Sequence, residues 1–176
     1  MSISKIKNDL EGHDNFPPVV KWNPDLCVGQ EFFIDREGNW FYNNSPIKNL
    51  KLINLFSTVL KKEANDYFLV TPVEKVLVKV EIAPYVIIDF KMTNDSIMLI
   101  TNMNYKFVLN KDNSTRLIEY QNSIIPIVKV RNNIEGFFNR NTYYKLVDLA
   151  LDKNFIENHI LYIPSKNLNH PIGKIA

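Results

Sequence analysis

The chain has 176 residues, 45% of them hydrophobic and 23% charged, which suits one ordinary domain or two small ones around a packed core. Its 21 Lys and Arg are interleaved with 19 Asp and Glu for a formal net charge of +2, so it shows no basic stripe of the kind that holds proteins to DNA through phosphates. The single cysteine, Cys27, excludes an internal disulfide and a cysteine zinc cluster.

The first residues lack the apolar core of a signal peptide. The longest apolar stretch, around 86–88, falls far short of the roughly 20 residues that cross a bilayer. A cytoplasmic protein with no membrane partner is therefore expected. Lys far outnumbers Arg, which weighs against bidentate phosphate recognition.

Residues 1–16 are polar and read as a flexible N-terminal arm. Pro17-Pro18 and Asn23-Pro24 keep the next stretch extended. Two aromatic-rich runs, 32–35 and 39–42, flank Arg36-Glu37-Gly38 and predict a β-hairpin. Ser45-Pro46-Ile47 reads as a helix entry. Leu52, Leu55, Phe56, Val59 and Leu60 then form one helical stripe, closed by Lys61-Lys62-Glu63. A strand at 67–70 is interrupted by Pro72. A half-buried strand follows over 74–82, with Val76, Val78, Val80 and Ile82 on one face.

Ala83-Pro84 marks the boundary between halves, giving an N-terminal half at 17–83 and a C-terminal half at 84–176. The second half predicts a meander at 85–92, 97–102 and 105–110, with turns at Asn94-Asp95 and Met103-Asn104. Strands at 116–121 and 124–131 follow. A second amphipathic helix starts near Asn141 with Tyr143, Leu146, Val147, Ala150 and Leu151 on one face. A short tail strand at 160–163 is stopped by Pro164. The helical strings Lys51-Leu52-Ile53-Asn54-Leu55-Phe56 and Lys145-Leu146-Val147-Asp148-Leu149-Ala150 match conservatively throughout. They read either as chance or as a duplicated strand–helix unit with a cleft between its copies. The fold class is α+β in two β-rich halves, each with one amphipathic helix.

No familiar catalytic constellation emerges. His13, His159 and His170 fall in segments expected to order poorly, with no nucleophile elbow near them. Cys27, between Leu26 and Val28, reads as a small buried hydrophobe. The five glycines are scattered, which excludes a dinucleotide fingerprint and a P-loop. No metal-ligand spacing occurs. The chain is expected to be no enzyme and to carry no cofactor and no metal.

Two features invite a binding role. Strand alternation sets Glu74 on the apolar side with Val76 and Val78, whereas Lys75 points opposite. A carboxylate there is costly without a partner, so either it reaches water at the frayed strand start or a cation holds it while Lys75 faces an anion. Trp40 and Tyr42 share a hairpin face, and Lys129 and Arg131 share a strand face. Rings beside cations can hold a base and its phosphate; ordinary core packing and a solvated strand face are the plainer reading.

The strings Pro17-Pro18-Val19, Trp22-Asn23-Pro24, Gly38-Asn39-Trp40-Phe41-Tyr42 and above all Leu69-Val70-Thr71-Pro72-Val73-Glu74-Lys75 resemble the bacterial family of domain of unknown function 1285. Val80-Glu81-Ile82-Ala83-Pro84, Asn133-Ile134-Glu135 and Tyr144-Lys145-Leu146-Val147 extend the resemblance to about Leu149. It implies a duplicated core whose second half is pleckstrin-homology-like. It also implies a ligand site where the halves meet, for a nucleotide or nucleic-acid-type ligand, and a signalling role tied to oxidative stress. The tail at 156–163 departs from the family's pattern, so no ligand contact is carried over there.

The sequence thus predicts a non-catalytic ligand-binding protein using Trp40 and Tyr42 for stacking, Lys75 and Arg131 for negative charge, and Glu74 to orient a cation. The alternatives are a protein–protein adaptor without a small ligand, and an enzyme of unfamiliar type with Glu74 as general base.

Overall fold

The structure, a computed structural model, describes residues 16–175; most of the polar arm, His13 included, lies outside them. The chain divides between Glu81 and Ile82 into two compact units.

The N-terminal unit is a mixed six-stranded sheet made of two antiparallel meanders. The first contains β1 (Phe32–Ile34), β2 (Trp40–Tyr42) and β3 (Ser45–Pro46), and the second β4 (Leu60–Glu63), β5 (Asp66–Val70) and β6 (Lys75–Val80). Their order is β3-β2-β1-β6-β5-β4, with β1 and β6 parallel. Helix α1 (Leu50–Thr58) joins the meanders, capped by the Asn49 side chain, which accepts from the Lys51 and Leu52 amides.

Ser45-Pro46, expected to open a helix, instead forms β3. Asn43 and Asn44 both take left-handed φ (45° and 63°) and reverse the chain tightly behind β2. That two-residue turn favours asparagine and matches strand twist. The helix also stops sooner than its apolar stripe, at Thr58. Leu60–Glu63 pairs with Asp66–Leu69, so Lys61 and Glu63 are strand residues on one face rather than the closing turn of a helix.

The C-terminal unit repeats this sheet. β7 (Tyr85–Met92), β8 (Ile97–Thr101) and β9 (Lys106–Val108) form one meander, and β10 (Thr115–Tyr120), β11 (Ser123–Arg131) and β12 (Ile134–Phe138) the other. The order β10-β11-β12-β7-β8-β9, with β12 and β7 parallel, reproduces the first sheet when read from the opposite edge. The two halves are duplicated α+β units. Their helices are not equivalent, however: α1 lies between the meanders, whereas α2 (Arg140–Asp152) follows the second. The matched helical strings therefore belong to different places in the topology, and the strands carry the duplication.

Gly136 on β12 allows a close approach to β7, because a Cβ there would sit 3.0 Å from the Tyr85 carbonyl oxygen and from Val130 Cγ2. Ile82, expected on the face of β6, instead packs with Ala83, Val86, Ile118, Ile127 and Phe137.

After α2 the tail forms a third sheet of β13 (Ile156–Glu157), β14 (Ile160–Ser165) and β15 (Leu168–Lys174). Its turns again use left-handed pairs, Asn158-His159 and Lys166-Asn167. The β14–β15 hairpin packs on α2, β10 and β11. Buried Ser165 fastens it: its hydroxyl accepts from the Ile97 amide (3.0 Å) and donates to the Leu109 carbonyl (2.7 Å). Thr115 Oγ1 donates to the Pro171 carbonyl at 2.7 Å. His170, expected in a poorly ordered tail, is only 1% exposed. Among the described residues no helix is long and apolar enough to cross a membrane.

Candidate functional site

Register decides which side chains of the N-terminal sheet share a face. Phe32, Ile34, Trp40, Tyr67, Leu69, Val76 and Val78 are buried on one side, together with Ile53 and Phe56 of α1. Burying each large side chain contributes about 1.5–3 kcal/mol. Trp40 and Tyr42 do share a face, but it is this core face. The Trp40 ring stacks on Phe56 at 6.2 Å, and Tyr42 packs on Phe32 at 4.9 Å. At 1% exposure Trp40 offers no free ring face, and its indole N–H finds no acceptor among the described residues. Lys75 has the opposite parity to Val76 and so lies on the other face, apart from both rings.

That outer face interleaves rings and cations. One cross-strand row runs Phe41, Phe33, Lys79, and the next runs Leu77, Phe68, Lys61. Phe33 and Phe41 lie 5.9 Å apart and are half-buried. At the end of the sheet Lys75 Nζ donates to Glu63 Oε2 at 2.9 Å and sits 4.8 Å above the Phe68 ring. Lys61 Nζ lies 2.8 Å from Glu63 Oε1 and donates to the Trp22 carbonyl at 2.9 Å. Both lysine side chains are 15% exposed. Their hydrogen bonds, Lys61 first and Lys75 second, hold the Glu63 carboxyl below its ordinary pKa of 4.5, against the opposing effect of burial.

The backbone aims Lys75. The Thr71 hydroxyl accepts from the Val73 and Glu74 amides, and the Thr71 amide donates to the Glu74 carbonyl, which locks the 71–74 turn. Asp25 and Cys27 then bracket Lys75: its amide donates to the Asp25 carbonyl and its carbonyl accepts from the Cys27 amide. Glu74 is half-buried at the strand's start, where its backbone closes the turn. Cys27 is half-buried rather than enclosed, and Gln30 Nε2 approaches its sulfur at 3.7 Å.

Arg131 belongs to the C-terminal unit. It is buried on β11, where its Nε donates to the Tyr85 hydroxyl at 3.1 Å. Of the residues singled out in the sequence, Lys75 alone lies in the cluster with Lys61, Glu63 and Phe68. Lys61 and Glu63 escape the sequence reading because Lys61–Glu63 reads as a helix end, and Phe68, though on an expected strand, has no partner there without them. The alternation of Lys61 and Glu63 around Lys62, facing Phe68 across β5, was the available signal. The described residues contain no grouping of three His, Cys, Asp or Glu that could hold a metal.

The arrangement can hold an anion. Two ammonium groups converge on one carboxylate, so the cluster carries a net positive charge, and a phosphate oxygen can replace Glu63 as acceptor.

The family models for the N-terminal and C-terminal domains of DUF1285, a domain of unknown function, match residues 17–83 and 84–172. The chain belongs to the DUF1285 family. The match to the C-terminal domain runs past Leu149 and takes in most of the third sheet, so the tail is part of the family fold. A DUF1285 protein from Silicibacter pomeroyi DSS-3 is similar at 29% identity and a TM-score of 0.82, over 93% of this chain and 90% of that one. A DUF1285 protein from Shewanella baltica OS155 is similar at 28% identity and a TM-score of 0.55, over 66% of this chain and 90% of that one. No curated protein matches.

Proposed function

We propose that this DUF1285 protein is a non-catalytic binding protein for a phosphate-bearing ligand of nucleotide or short nucleic-acid type, held on the outer face of its N-terminal sheet. The observation that carries the reading is the convergence of Lys61 and Lys75 on Glu63 beside the Phe68 ring. Glu63 keeps both ammonium groups ordered, so less side-chain entropy is lost when an anion takes its place. Phe33 and Phe41, a few strands away on the same face, supply rings for a base. Single-strand binders combine cations with stacking rings on a sheet in this way.

A thermal-shift screen with ATP, GTP and short oligonucleotides tests the reading. Ligands that bind the folded state raise Tm by mass action. The rise is expected in the wild type and absent in the Lys61→Ala/Lys75→Ala variant. The reading fails if no compound raises Tm, or if the double variant responds equally.

One observation favours an adaptor instead. Val28 and Val73 are 82% and 81% exposed, and Leu26, half exposed, bridges to Lys75. A protein partner covering this edge would leave the nucleotide screen blank while Val73→Asp abolishes co-purification.

A further inference from the structure

The C-terminal unit holds an open depression of about 490 Å³ between the turn at 93–96 after β7 and residues 164–167, the end of β14 with the turn that follows it. We infer that this depression is a separate site for a small uncharged polyhydroxylated ligand, of monosaccharide to disaccharide size. Its volume lies in the range of ordinary small-molecule sites.

The rim is rigid. The Lys166 amide donates to the Asp95 carbonyl at 2.8 Å, the Lys166 ammonium pairs with Asp95 Oδ2 at 2.7 Å, and buried Ser165 anchors the second turn to the Ile97 amide. Within the first turn Thr93 Oγ1 lies 2.7 Å from Ser96 Oγ, and the Thr93 amide donates to the Ser96 carbonyl. Both turns are therefore fixed before any ligand arrives, which reduces the ordering cost of binding.

The lining sets the chemistry. Asp95 and Lys166 cancel in charge, so the depression does not select an anion or a cation as the lysine cluster of the other half does. What remains is rich in neutral hydrogen-bonding groups: the carboxamides of Asn94 and Asn167, and the hydroxyls of Thr93 and Ser96, which bond to each other within the turn and keep acceptor capacity besides. A carboxamide offers a donor pair and an acceptor side by side, which fits two neighbouring hydroxyls on a sugar ring. Phe155, held against Tyr162 at 6.3 Å, supplies an apolar surface for the C–H face of such a ring.

Amide-resolved NMR of the full chain during titration with glucose, galactose and N-acetylglucosamine tests this. At least one sugar is expected to give saturable shifts confined to 92–97, 155 and 165–167. In an Asn94→Ala/Asn167→Gly variant the affinity should fall about tenfold or more. Glycine keeps the left-handed turn at position 167, where φ is 61°, and an otherwise unchanged spectrum verifies folding. If that variant does not fold, Thr93→Val serves as the second probe and should weaken binding severalfold. The site is overturned if none of the three sugars gives saturable shifts, if the shifts map elsewhere, or if the folded variants bind as the wild type does. Loss of Lys61 and Lys75 should leave the sugar response intact, which separates this site from the proposed anion site.

Discussion

The Lys75 ammonium lies 2.9 Å from Glu63 Oε2 while resting 4.8 Å above the Phe68 ring, so one cation is held both by a carboxylate and by a ring face. Lys61 repeats the first of these contacts on the other carboxylate oxygen. Replacing Glu63 by Gln should lower stability by about 0.5–1.5 kcal/mol at low salt. It should also raise affinity for a phosphate-bearing ligand severalfold, since the internal competitor is gone. Chemical denaturation paired with ATP titration checks both. The sign with pH follows from the lowered carboxyl: its contribution is complete above about pH 4.5 and is lost as pH falls through the depressed folded value.

The faces of β2 separate packing from binding. Trp40→Ala should cost about 3–5 kcal/mol of stability, because it empties a core site beside Phe56. Phe41→Ala, one residue along and on the outer face, should cost less and weaken ligand binding. Urea melts and a ligand titration of the two variants distinguish them. Equal loss of binding at matched stability would contradict the assignment.

Gly136→Ala places a Cβ 3.0 Å from the Tyr85 carbonyl oxygen and from Val130 Cγ2, and the first of these contacts is relieved only by a backbone shift. A loss of about 1–3 kcal/mol is expected by denaturant unfolding. An unchanged midpoint would show that β7 and β12 are less tightly docked than described.

His170 gives the C-terminal unit a pH dependence. Burial pushes its imidazole below the ordinary 6.5, while its contact with the Ser165 carbonyl partly opposes this. The unfolded chain therefore binds the proton more readily. Stability is complete above about pH 6.5 and falls as pH drops from there toward the lowered folded value, by at most about 1.4 kcal/mol per pH unit from this one group. Melts between neutral pH and about pH 5.5 should show the fall in the wild type and a flatter profile in His170→Asn.

Much of the architecture was legible in the sequence, and the failures have local causes. The β1–β2 hairpin is readable because two aromatic-rich runs flank a short turn containing Gly38, and β6 because its residues alternate between two faces. The error at Leu60–Glu63 arose because Val59 and Leu60 extend the helical stripe, while cross-strand pairing with Asp66–Leu69 ends the helix at Thr58. The strands β3, β12 and β15 lie behind tight turns that use Asn-Asn or Lys-Asn, and β13 ends at an Asn-His turn, rather than at Asn-Gly, so the glycine signal for a reversal is missing. In the candidate site, alternation separated Lys75 from Val76 correctly. It could not tell which face of β2 the helix α1 would cover. That choice put Trp40 in the core and Phe41 outside.

The most direct measurement is NMR of the lysine side chains in the full chain during titration with ATP. The ε-methylene signals of Lys61 and Lys75 should shift together and saturate with one affinity, while those of Lys91 and Lys153 stay in place. A saturable response that leaves Lys61 and Lys75 unmoved, or no response from any lysine, would contradict an anion site on the outer face of the N-terminal sheet.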